Sequence, residues 1–110
     1  MESASVERLA KNESFFRQVN ERIREVARTL GGQDAYEFLC ECSDAACTER
    51  IELTASEYEE VRAEPTRFVL AAGHAAPGIE QVVAREDDHV VVEKRGLAGR
   101  LAAKLDPRST

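Results

Sequence analysis

Three cysteines, Cys40, Cys42 and Cys47, stand within eight consecutive positions of a 110-residue chain that contains no other. Thiols this close together bind a soft metal ion, exchange disulfides, or fill a core as small apolar side chains. The C-x-x-C spacing of thioredoxin-like redox sites is absent, and C-x-C-x4-C favours a metal. Extended backbone sets Cys40 and Cys42 on one face roughly 7 Å apart, and the turn-forming "SDAAC" brings Cys47 back toward them. Zinc takes four ligands in a tetrahedron, so a histidine, a carboxylate or water must supply the last. Of the two histidines, His74 follows Gly73 in a loop after a predicted strand, where backbone freedom lets the ring reach a neighbouring hairpin. His89 opens another strand beside the acidic "EDD" and reads as a solvated hairpin residue. The predicted ligands of one Zn2+ are therefore Cys40, Cys42, Cys47 and His74.

Four protein ligands close the coordination sphere and make the ion structural. If His74 stays out, water takes the fourth position and a zinc- or thiol-dependent enzyme follows, with Glu41 or Asp44 as the nearest base. No oxyanion donor set or glycine-rich phosphate loop accompanies the cysteines, which favours a non-catalytic protein acting through another protein.

The elements that must position these residues follow from periodicity. Residues 3 to 30 carry Leu9, Phe16, Val19, Ile23, Val26 and Leu30 at helical spacing, widened by Phe15 and Ala27. The steps of three and four make a heptad seam, with Asn12 on it, so this helix packs either on a sheet of its own chain or against a second copy in a homodimer. Arg17, Asn20, Glu21 and Arg24 fall on the opposite side and read as a solvated face. Gly31 ends the helix. Tyr36, Phe38, Cys40 and Cys42 then alternate as one face of a strand, returned by residues 50 to 54 with Ile51 and Leu53 inward. Thr54 and Glu57 match a capping box opening a short helix that stops before Pro65. Residues 67 to 72 form a third strand, Gly73-His74 and Pro77-Gly78 mark a loop, and "IEQVVAR" with "HVVVEK" makes a hairpin. Residues 97 to 105 form a last helix. The expected class is α+β: one domain over 1–110, with the long N-terminal helix (3–30) covering a mainly antiparallel sheet within a zinc-stabilised core (35–94), and a C-terminal helix (97–105).

Acidic residues outnumber basic ones 21 to 15, for a net charge of -6, which disfavours generic nucleic-acid binding and leaves Lys94, Arg95, Arg100 and Lys104 as the one local basic patch. Glu57, Glu59, Glu60 and Glu64 form a hydrated acidic surface suited to a partner with a basic one. No apolar run reaches membrane-spanning length, and the charged N-terminus does not read as a signal peptide, so a cytoplasmic location is expected.

The segment "NESFFRQVNERI" (N-E-x-x-F-R-x-V-N-E-R-I), the C-E-C-x4-C element, "EYEEVRAEP" (E-Y-x-x-V-R-x-x-P), the Gly73-His74 step and "VVVEK" lie in this order over most of residues 12 to 94. Together they resemble a family of short, functionally uncharacterised bacterial proteins. The resemblance implies a shared fold and treats the three cysteines and His74 as one unit; it carries no activity.

Overall fold

The computed structural model describes residues 2–76 and 78–108, with side chains from Glu7 onward. Pro77, part of the loop expected at Pro77-Gly78, lies outside the described residues. The elements are α1 (Glu2–Thr29), β1 (Tyr36–Leu39), β2 (Arg50–Leu53), α2 (Ala55–Arg62), β3 (Arg67–Ala71), β4 (Glu80–Arg85), β5 (His89–Lys94) and α3 (Gly96–Lys104). The class is α+β with antiparallel sheets, as expected from strands that follow one another in sequence. There are two sheets: the β1-β2 hairpin, with Phe38 opposite Ile51, and a three-stranded sheet in the order β3-β5-β4. The last strand is central because β4 enters as an outer strand and β5 turns back between it and β3. The burial pattern agrees. β5 is covered along most of its length, whereas β4 alternates between half-buried and exposed.

Between the sheets and α2 lies one apolar core, in which Phe38, Ile51, Tyr58, Phe68, Val69, Leu70 and Val92 are essentially inaccessible to water. Phe38 and Tyr58 stack with ring centroids 4.7 Å apart. The capping box forms as its residue types require: Glu57 N–H donates to Thr54 Oγ1 at 3.1 Å, and Thr54 N–H donates to Glu57 Oε1 at 2.8 Å. This aims α2 so that Tyr58 and Val61 point inward.

The long helix meets the expectation drawn from its apolar seam only in part: Phe16 and Ala27 are buried and Ile23 packs against the core, while the far side of the seam is exposed. Its buried residues are Ala10, Glu13, Phe16, Arg17, Asn20 and Ala27, a stripe displaced from the heptad seam. Phe15, Val26 and Leu30 are 60%, 55% and 66% exposed. The supposedly solvated face, with Arg17, Asn20 and the half-buried Glu21 and Arg24, therefore packs inward. Side-chain polarity alone misplaces these groups, because a buried charge is tolerated wherever a partner and hydrogen bonds replace its water.

The buried charges have such partners, save that Arg17 Nε and Arg62 Nη1 are left without a hydrogen bond. The Arg17 guanidinium lies 4.0 Å from the centre of the Phe68 ring, donates to Pro65 O at 2.9 Å and pairs with Asp106 at 3.6 Å. On the same ring, at 5.3 Å, sits Lys94 Nζ, which pairs with both Glu13 and Glu80. Arg62 joins Glu21 at 2.8 Å and also Asp106. Lys94 is thus 4% exposed and committed to internal carboxylates, which removes it from the basic patch expected at Lys94, Arg95, Arg100 and Lys104. The other three residues remain at or near the surface.

One lysine between two buried carboxylates leaves an unbalanced negative charge, and burial pushes the Glu13 pKa from 4.5 to about 7 despite the pull of Lys94. A carboxyl raised on folding stabilises the fold fully below its unfolded pKa, and that contribution is lost as pH climbs from 4.5 toward 7. Glu13→Gln leaves Lys94 paired one-to-one with Glu80 and abolishes this loss. We expect the stability of the wild type relative to Glu13→Gln to fall by up to about 3 kcal/mol across that window, read from urea midpoints of the two proteins at matched pH.

Candidate metal centre

The centre is assembled where β1 ends. Cys40 N–H closes the hairpin onto Glu49 O at 3.2 Å, and Glu41 N–H then bonds Val69 O of β3 at 2.8 Å. At this point the chain leaves β2 and crosses to the other sheet. The strand ends at Leu39, short of the expected run through Cys42, and three successive residues, Cys40, Glu41 and Cys42, are all buried. Their side chains turn to different neighbours: the sulfurs toward the His74 ring, the Glu41 carboxylate toward Asn20, Tyr58 and Val69 N–H.

Glu41 is anchored from three elements. Its carboxylate accepts from Asn20 Nδ2 of α1 at 2.9 Å, from Val69 N–H of β3 at 3.1 Å and from the Tyr58 hydroxyl of α2. Burial pushes its pKa up, while nearby Arg17 and these three donors pull it back down. Asn20 also brackets Leu39, donating to its carbonyl at 2.9 Å and accepting from its N–H at 2.8 Å. The side chains of the helix motif thus hold the backbone on which the cysteines sit, with Asn12 adding a bond to Ser43 O at 3.1 Å.

The remaining donors arrive through turns. Asp44 Oδ1 accepts from Ala46 N–H at 2.9 Å and its carbonyl accepts from Cys47 N–H at 3.0 Å, folding the loop so that Cys47 returns. After β3, Gly73 adopts φ +85°, a left-handed conformation that a side chain would strain, and His74 N–H bonds back to Ala71 O at 3.1 Å. The imidazole is thereby turned over the cysteines, although the residue as a whole is exposed.

One ligand atom from each of Cys40, Cys42, Cys47 and His74 lies within 4.8 Å of the other three. His74 Nδ1 is 3.5 Å from Cys40 Sγ and 3.7 Å from Cys47 Sγ. Around a tetrahedral ion with metal–sulfur bonds of about 2.3 Å and metal–nitrogen bonds of about 2.0 Å, the nitrogen-to-sulfur edge is about 3.5 Å. These two separations match that edge, and the four side chains form a group that could hold a metal ion. Ala71 N–H donates to Cys40 Sγ at 3.2 Å, the kind of outer bond that orients and stabilises a thiolate ligand. Without a cation, burial pushes the Cys40 and Cys42 thiols upward against the backbone bonds from Ala71 and Asp44, which makes them poor nucleophiles.

All four expected ligands come together, and His89 stands apart from them. It is 8% exposed rather than solvated, with Nδ1 2.6 Å from Asp88, because β5 is the central strand. Of the two acids named as possible bases, Glu41 is turned away from the cysteines, while the exposed Asp44 stays beside them. Asp44 Oδ1 shapes the cysteine loop. The supporting roles of Glu41, Asn20 and Arg17 were missed from sequence. A signal was present in the run of Glu13, Arg17, Asn20 and Arg24 at steps of three and four, flanked by the small residues Ala10 and Ala27.

Family models, curated proteins and solved structures give no match to this chain, so function is read from the geometry of the site itself.

Asn20→Ala strips Leu39 of both side-chain bonds and Glu41 of one. The expected cost is about 2–4 kcal/mol in urea unfolding of the metal-free protein; a change below about 0.5 kcal/mol, as for an ordinary surface residue, means that these bonds do not hold the segment.

Proposed function

We propose that Cys40, Cys42, Cys47 and His74 bind one Zn2+ and that the ion is structural. Support comes from the donor set, three soft sulfurs and one imidazole, and from nitrogen-to-sulfur distances of 3.5 and 3.7 Å that suit a small tetrahedral ion. Four protein ligands fill such an ion's sphere and leave no position for substrate or water. The ion ties the end of the β1-β2 hairpin to the turn after β3, linking the two sheets. In a chain of 110 residues a junction of this kind contributes much of the fold's stability.

On this reading the protein is non-catalytic and works in the cytoplasm as a regulatory or adaptor protein, through contact with another protein. The partner's matching surface is basic: Glu57, Glu60 and Glu64 are exposed along and just beyond α2, and the net charge of -6 steers a cationic surface toward them. Among the described residues, no helix is long and apolar enough to cross a membrane. Membership of the family of short bacterial proteins belongs to the same proposal, supported by the helix motif's contacts around the cysteine segment.

A second reading, a zinc- or thiol-dependent enzyme, draws on one observation: an open depression of about 290 Å³ lined by Cys42, Ser43, Asp44, Gly73 and His74. If His74 gives way there, a coordination position opens to solvent.

Native mass spectrometry of protein grown with zinc is expected to show one zinc per chain, lost with chelator and accompanied by a fall in Tm; an apo mass with three free thiols sinks the reading. His74→Ala is expected to weaken zinc binding by roughly tenfold or more, since even residues behind a ligand are worth that much, and to lower Tm without any gain of hydrolytic activity. A stable variant that keeps its metal and acquires altered thiol or hydrolytic reactivity favours the enzyme. The adaptor role is checked by capture from a native lysate with zinc-loaded and zinc-stripped protein, with salt-sensitive retention of a basic partner by the loaded form expected.

A further inference from the structure

The helix α1 buries Glu13, Arg17 and Asn20 and leaves a row of large apolar side chains outside. Three of the five large hydrophobic residues exposed among the described residues, Phe15, Val26 and Leu30, lie on it; the half-buried Val19 joins the row, and Ile23, partly packed against the core, forms its edge. Two shallow grooves run along this ridge. One of about 390 Å³ is lined by Val19, Arg22, Ile23, Val26, Tyr36 and Glu37, the other of about 330 Å³ by Arg22, Glu25, Val26, Thr29 and Leu30. Ion pairs and hydrogen bonds secure the opposite face, so the helix cannot roll to hide the ridge without breaking the Glu13, Arg17 and Asn20 contacts.

We propose that the ridge is covered by the same ridge of a second copy, the two α1 helices packing antiparallel about a two-fold axis between residues 22 and 23. The spacing is self-complementary about that point. Phe15 of one copy meets Leu30 of the other and Val19 meets Val26, so these four find apolar partners and the Val26 grooves receive knobs from the facing helix, while Ile23, partly packed against the core, lies opposite Arg22 at the axis. A shifted register breaks this match, and parallel helices in register, although they keep an apolar match, set Glu25 beside Glu25 and Arg28 beside Arg28.

Charge and area are consistent with a second copy. The ridge carries Arg22 and Arg28 against Glu25 and Glu37, a local balance that lets two chains of net charge -6 meet here, whereas the acidic α2 surface repels its own copy. Taking roughly 100 Å² for each of the three most exposed side chains and about as much again from Val19, Ile23, Tyr36 and the polar rim, each copy loses on the order of 500–600 Å². The pair buries about 1,000 Å², the lower bound for a specific interface. The inference does not depend on the proposed zinc or on the basic partner, since none of the ridge residues is a metal ligand.

The test is light scattering and sedimentation of the full chain at micromolar concentration, with metal content recorded in parallel. Twice the 12.2 kDa chain mass is expected for the wild type. The Val26→Glu, Leu30→Glu double variant should run at one chain mass with unchanged helical circular dichroism and the same metal content. Phe15→Lys serves as an independent variant should the double one misfold. Direction is read by oxidation: Arg22→Cys, next to the axis, should form an interchain disulfide with its copy, and Leu30→Cys should not. A wild type at one chain mass, its ridge left for some other protein, overturns the proposal. So does a Leu30→Cys variant that cross-links as readily as Arg22→Cys, the result of parallel helices. A missing zinc with an intact dimer fails the metal reading alone.

Discussion

A single buried carboxylate organises the centre of this protein. Glu41 is 0% exposed and gathers donors from α1, α2 and β3, each replacing water that the group gave up on folding. Leaving such a group unmatched costs several kcal/mol, whereas satisfying it makes its position almost unique, since the donors come from directions only one packing of the three elements supplies. With Glu41 seated, its neighbours have no choice of side. The Cys40 and Cys42 sulfurs then gather with those of Cys47 and the His74 ring, one ligand atom of each lying within 4.8 Å of the others. The carboxylate cluster and the sulfur group are thus built on adjacent residues of one short segment.

The same principle governs α1. With five aromatic residues in a hundred and one residue in three charged, the chain has few large side chains to spend on a helix-to-sheet interface, and it fills that interface with Arg17, Lys94, Arg62 and their carboxylates. Buried pairs of this kind add little net stability beyond what well-packed apolar residues of the same size give. They do specify orientation: Arg17 stacks on Phe68 while bonding Pro65, and Asp106 receives both Arg17 and Arg62. These contacts lock α1 against α3, α2 and the sheet in one rotation. An outward apolar ridge is the consequence, because the side chains that would ordinarily cover a core are displaced from it by the charges.

The proposed ion and the Glu41 cluster both act on one short segment. The carboxylate cluster makes the hairpin end and β3 adjacent; the ligands then draw on two turns, the Asp44 loop and the Gly73 bend, that have little apolar cover of their own. Asp44, Gly73 and His74 are exposed, and regions of this sort open first unless something else binds them. The proposed ion would supply what the local core does not, which is the physical sense of a structural site there.

Several elements were legible because their determinants are local. The capping box at Thr54 and Glu57 needs residues three apart, the β1-β2 pairing follows alternation on either side of a turn, and C-x-C-x4-C places three sulfurs within one loop. His74 was legible by elimination, there being one other histidine and no fourth cysteine. What the sequence by itself determined is the set of elements, the α+β class and the four side chains that converge. The tertiary structure alone decided which face of α1 is inside, that β5 lies between β3 and β4, that His89 and Lys94 are buried, and that Glu41 is an anchor. The reason is range: Arg17 finds Pro65 48 residues away and Lys94 finds Glu13 81 residues away, and a charge reads as solvent-facing until the partner that replaces its water is known.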